Sequence, residues 1–145
     1  MITYRIALLA LLVGWVATVA RAQPRDTTSS STPVHVVERV SDAFANGNSE
    51  RLLGPSTDRI EVSLFGTRTV YSSAQAFYVI RDFFSNYAPR HFEVDDVTET
   101  GTTCFVAGTY EHDQSERVLQ VFVRLVQQDE EGWRLHEVQI DYETP

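Results

Sequence analysis

Between Val34 and Asn46 the apolar residues recur every three to four positions. At about 100° per residue, Val36, Val37, Val40, Ala43 and Phe44 fall on one side and His35, Glu38, Arg39 and Asp42 on the other. This spacing predicts an amphipathic helix, capped by Thr32 with Pro33 at its first position and ended by Gly47. A short helical turn through Arg51, Leu52 and Leu53 follows, started by Asn48 or Ser49 and stopped by Gly54-Pro55. From Asp58 to Phe65 the period changes to two: Ile60, Val62 and Leu64 alternate with Glu61 and Ser63, as in a half-buried strand. Gly66-Thr67 turns the chain, and Ser72-Ser73-Ala74-Gln75 has the form of a capping box, which opens a helix reaching Tyr87. Its apolar face collects Ala76, Phe77, Ile80, Phe83, Phe84 and Tyr87, while Gln75, Tyr78, Arg81, Asp82 and Ser85 point away. Burying each aromatic ring of that face is worth roughly 2 to 3 kcal/mol, so the helix must lie on a sheet.

The sheet comes mostly after it. His91 to Thr98, Thr103 to His112, Arg117 to Gln128 and Trp133 to Tyr142 read as strands, separated by turns at Thr100-Gly101, Asp113-Gln114-Ser115 and Asp129 to Gly132. Short loops between long strands predict an antiparallel meander. In the third of these strands Leu119, Val121, Val123 and Leu125 form one face; the opposite face, Val118, Gln120, Phe122, Arg124 and Val126, is mixed rather than polar. The predicted class is α+β, a curved antiparallel sheet with the N-terminal helices packed on its concave face.

The N-terminal segment has a different composition. Met1 to Ala22 has Arg5 in a short leading region, an apolar run from Ile6 to Ala20, and the A-x-A sequence Ala20-Arg21-Ala22, which together predict a signal peptide cleaved after Ala22. The run is too short to span a bilayer, so no membrane span is expected after cleavage and the product is secreted or periplasmic. Residues 23–32, rich in Ser, Thr and Pro, are expected to be a disordered tether, leaving a single domain over 33–143. Cys104, the only cysteine, lies in the apolar run Cys104 to Ala107 and reads as a small buried hydrophobe.

Charge narrows the partners. The chain has 12 basic and 20 acidic residues, and every basic one is arginine. A net charge of −8 excludes a generic nucleic-acid binder, which needs clustered cations, and disfavours an anionic membrane surface. The acids gather at Asp95-Asp96, Glu111 to Glu116, Asp129 to Glu131 and Asp141 to Glu143. Surface acid without lysine fits adaptation to high salt; the arginine preference of a GC-rich genome accounts for the missing lysine without it.

Tyr71-Ser72-Ser73-Ala74-Gln75-Ala76, Asp82-Phe83-Phe84, Phe92, Gly108 ahead of an arginine-led strand at Arg117, and the closing strand around Ile140 carry a resemblance over residues 34–143. The chain resembles the cone-shaped nuclear transport factor 2-like (cystatin-like) fold shared by ketosteroid isomerase and scytalone dehydratase. More closely, it is similar to a family of small exported bacterial domains of unknown function assigned to that fold. The resemblance implies a pocket between helices and sheet, in which enzymes of the superfamily place Asp, His or Tyr for proton transfer, and dimerisation through the far sheet face. Ketosteroid isomerase activity is disfavoured, because the first helix has no tyrosine.

Several residues are candidates for such a pocket. His136 shares strand parity with Val138, Ile140 and Tyr142 and is the candidate catalytic base, in a lyase- or isomerase-like reading. Tyr71, Phe84, Tyr87, Tyr110 and Tyr142 are candidate lining residues for a small apolar ligand. His91 reads as a loop residue near the pocket mouth and Asp58 as turn chemistry. Glu111-His112-Asp113 with Glu116 matches no metal-ligand spacing and reads as a solvated hairpin tip. No phosphate loop, Ser/His/Asp set or paired-carboxylate motif is present, so neither metal nor cofactor is expected. The favoured expectation is a non-catalytic binding or interaction module, with Val118, Gln120, Phe122, Arg124 and Val126 as the candidate homodimer face.

Overall fold

Apolar periodicity becomes three helices and six strands in the computed structural model of the chain, which describes residues 33–129 and 132–144. The predicted signal peptide and tether lie outside the described residues. Helix α1 spans Val34–Asn46 and buries Val40, Ala43 and Phe44. Pro33, not Thr32, stands at its cap position: the Pro33 carbonyl accepts from the N–H groups of Val36 and Val37 at 2.8 and 2.9 Å. Gly47 closes the helix in the left-handed conformation, with φ of 63°. Helix α2 (Ser49–Leu53) is capped by Asn48, whose side chain accepts from Arg51 N–H at 2.8 Å.

Strand β1 (Ser56–Leu64) turns through Phe65-Gly66 into β2 (Thr67–Ser72), an edge strand that the periodicity did not predict. Both turn residues have positive φ, 50° and 82°, which matches the twist of a two-residue hairpin. Ser72 then caps α3 (Ser73–Asn86) through the complete capping box, accepting from Gln75 N–H while the Gln75 side chain accepts from Ser72 N–H. Helix α3 buries Ala76, Ile80, Phe83 and Phe84.

The remaining strands, β3 (Pro89–Thr100), β4 (Thr103–His112), β5 (Leu119–Gln128) and β6 (Gly132–Tyr142), form the expected antiparallel meander. The sheet order is β2-β1-β6-β5-β4-β3, and β1 lies parallel to β6. The sheet is therefore mixed, mostly antiparallel, rather than antiparallel throughout. The inner face presents Ile60, Val62, Val106, Leu119, Val121, Val123, Leu125, Leu135, Val138 and Ile140 to the helices, and these residues form one core with Phe44, Phe83 and Phe84. Gly108 is required where it stands. A Cβ there would come within 2.5 Å of the Phe92 ring and 2.7 Å of the Glu93 carbonyl oxygen, so only glycine lets that ring cross the strand.

Candidate functional site

The space between helices and sheet is occupied by the protein's own rings. Phe44 stacks on Phe92 at 5.0 Å and meets Phe84 and Tyr110 edge-on at 5.6 and 6.1 Å, and Phe83 packs on Tyr110 at 5.6 Å. Tyr110 is fully buried and its hydroxyl donates to the Tyr87 carbonyl at 2.5 Å, so its polar end is already used. Burial, and secondarily Asp113, raises its pKa above the usual tyrosine value. A phenol held neutral and bonded to backbone is a structural strut, not an acid awaiting substrate.

The other pocket candidates do not converge. Phe84 is buried in the same ring cluster. Tyr87 stacks on Phe83 at 5.2 Å, and Phe65 links it to Tyr142, at 5.3 and 5.0 Å. Tyr71 is half-buried on β2 against the core. His136 departs from the parity expected of it. Leu125 pairs with Leu135 and Arg124 with Glu137, so His136 is the unpaired residue of a β-bulge. Leu135, fully buried, takes the inward slot ahead of Val138 and Ile140. The half-buried imidazole instead meets Thr57, whose hydroxyl lies 3.2 Å from Nδ1 and which also donates to backbone carbonyls. Among the described residues this is the ring's only hydrogen bond, and no carboxylate accompanies it. A lone imidazole on a hydroxyl supplies no second proton-transfer group.

Cys104 is buried, and desolvation, with Glu99 adding to it, raises its pKa, the opposite of what a reactive thiol needs. His91 and Asp58 are exposed on β3 and β1; His91 lies 4.0 Å from Glu93. Among the described residues no three His, Cys, Asp or Glu side chains gather as metal ligands, and no helix is long and apolar enough to cross a membrane.

The outer face of the sheet is different in character. Gln120, Phe122, Arg124 and Val126 point there from β5; Val118 falls just before the strand. Register adds neighbours that the reading of one strand missed: Phe105 and Ala107 from β4, Glu137 and Gln139 from β6, Glu61 from β1 and Arg68 from β2. Applying the alternation of Cys104, Val106 and Gly108 to β4 would have found Phe105. Phe105 and Phe122 are 46% and 47% exposed and flank a depression of about 360 Å³ that Asp96, Ala107, Arg124, Glu137 and Gln139 also line. Beside it runs a ladder of paired charge across four strands. Arg124 Nε lies 2.8 Å from Glu137 Oε2, Arg68 Nη2 3.7 Å from Glu137 Oε1, and Arg68 Nη1 2.8 Å from Glu61 Oε1. These are the features of a contact surface: exposed rings, a concavity and balanced charge.

A family model described as "Domain of unknown function (DUF4783)" matches residues 37–141. Among solved structures, a DUF4783 family protein from Bacteroides uniformis ATCC 8492 superposes with a TM-score of 0.68 at 22% identity, covering 74% of this chain and 97% of its own. One from Bacteroides ovatus ATCC 8483 gives 0.67 at 22%, covering 73% and 94%. An NTF-2 like protein of unknown function from Silicibacter pomeroyi DSS-3 gives 0.55 at 12%, covering 77% and 93%. No curated protein matches the chain.

Proposed function

The chain belongs to the DUF4783 family and has the nuclear transport factor 2-like fold, and from that premise we propose that it is an exported, non-catalytic interaction module whose outer sheet face takes a second copy of itself. The observation that carries this is the pair of half-exposed rings, Phe105 and Phe122, around a concavity on the outer sheet face. A twofold interface is self-complementary, so its patch must hold both partners of every polar contact. The ladder of Arg68, Arg124, Glu61 and Glu137 meets that requirement: it is neutral as a unit on a chain of net charge −8, and a twofold axis can set each arginine against the other copy's glutamate. Export is supported by Arg5, the apolar run and the Ala20-Arg21-Ala22 sequence. The ring-filled interior supports interaction over turnover, because a small apolar ligand would have to displace Phe44, Phe84 or Phe92 from their stacked positions.

Light scattering on the eluting mature chain, residues 23–145, tests this. The wild type is expected at twice the monomer mass at tens of micromolar, and Phe122→Asp, which puts a carboxylate at the patch centre, at the monomer mass with an unchanged circular dichroism spectrum. A monomeric wild type overturns the reading.

A further inference from the structure

The β4–β5 hairpin, read from sequence as a solvated tip, encloses a second cavity of about 420 Å³, well removed in chemistry from the apolar outer face. His112 lines it from the end of β4 and is only 2% exposed. Its Nδ1 accepts from Gln114 N–H at 3.2 Å, so the proton of the neutral ring sits on Nε2, and that nitrogen is buried with no hydrogen-bond partner. A buried donor without an acceptor is unfavourable, and the Tyr87 ring stands edge-to-face with the imidazole at 5.1 Å. Arg90, at the start of β3, and Arg117, ahead of β5, share the cavity wall, and so do Glu111 and Glu116. Among the described residues none of these four charges forms a salt bridge. The Arg117 guanidinium lies over the Tyr142 ring at 4.3 Å instead.

Two cations and two anions line one cavity, and a buried, unpaired donor stands in its wall. A free anion meets the two glutamates and a free cation meets the two arginines. A molecule carrying both charges a few bonds apart satisfies both sets. We propose that this cavity binds a small zwitterion of the α-amino acid type, its carboxylate taken by Arg90 and Arg117 and its ammonium by Glu111 and Glu116, beside the His112 wall.

Nuclear magnetic resonance titration of the mature chain with glycine, acetate and methylammonium tests this, read at the Gln114 amide and the His112 imidazole. Glycine is expected to shift both signals with an apparent Kd at least about fivefold below those of acetate and methylammonium, within roughly 50 mM. Arg90→Gln and Glu116→Gln, both exposed and unbonded, are each expected to weaken glycine about tenfold without changing thermal unfolding. Glycine leaving both signals unmoved, acetate binding as tightly as glycine, or a glycine response unchanged in both variants would each overturn the proposal.

Discussion

Tyr110 shows how a single side chain can look like chemistry and be architecture. An aromatic hydroxyl in the interior of a pocket fold suggests an acid, yet here the ring joins a cluster with Phe44, Phe83 and Phe84 and the hydroxyl is bonded to Tyr87 O. Because burial raises its pKa in the folded chain, the neutral phenol is favoured by folding. The folded value lies above the unfolded one, so this contribution is complete below the usual tyrosine value near 10 and is lost as pH rises beyond it. Urea midpoints measured from pH 8 to 11 should therefore fall more steeply above pH 10 in the wild type than in Tyr110→Phe. That variant should cost about 1 kcal/mol at pH 8, for the lost hydrogen bond. Parallel curves for the two proteins would show that the phenol is not the group responsible.

At the scale of elements, α3 was the most legible part, since its cap, its apolar face and its end are all written locally. The capping box at Ser72 and Gln75 is intact, and Ser72→Ala should lower stability by about 1 kcal/mol in chemical denaturation; no loss would mean that packing alone places the helix start. The meander was legible for the same reason, with β4 over the very residues that the alternation predicts. Strand β2 was not, because Thr67–Ser72 is an edge strand with no fully buried residue and Phe65 fills a turn position where Asn or Asp would have announced a hairpin. The parallel pairing of β1 with β6 joins segments far apart in sequence, which no local pattern encodes. His136 failed for a subtler reason. Strand parity holds only while the register does, and one bulge exchanges the inward slot for Leu135. The mixed β5 face was recognised from one strand, but its partners on β4, β6, β1 and β2 needed the register.

Considered whole, the molecule keeps most of its acid away from its outer-face rings. Asp95, Glu111, Asp113, Glu116, Asp129 and Glu143 are exposed, on the edge strand, the hairpin and the strand ends, whereas on the outer face Glu61 and Glu137 are paired with Arg68 and Arg124, and Asp96 is the one acid beside the rings without a salt bridge among the described residues. Self-repulsion among the unpaired acids should be relieved by counterions, so the melting temperature is expected to climb steadily as NaCl is raised from low to molar concentration. A flat response would leave arginine preference alone to explain the missing lysine. The charge distribution also leaves the outer face as the place where two such acidic chains can meet. Isotope-filtered nuclear Overhauser spectroscopy on a mixture of labelled and unlabelled mature chain tests that most directly. Intermolecular contacts are predicted from the Phe105 and Phe122 rings to protons of the partner's sheet. Their absence from both rings at concentrations where the protein is dimeric, with contacts found instead on the exposed side of α3 or along β3, would contradict the assignment of this face.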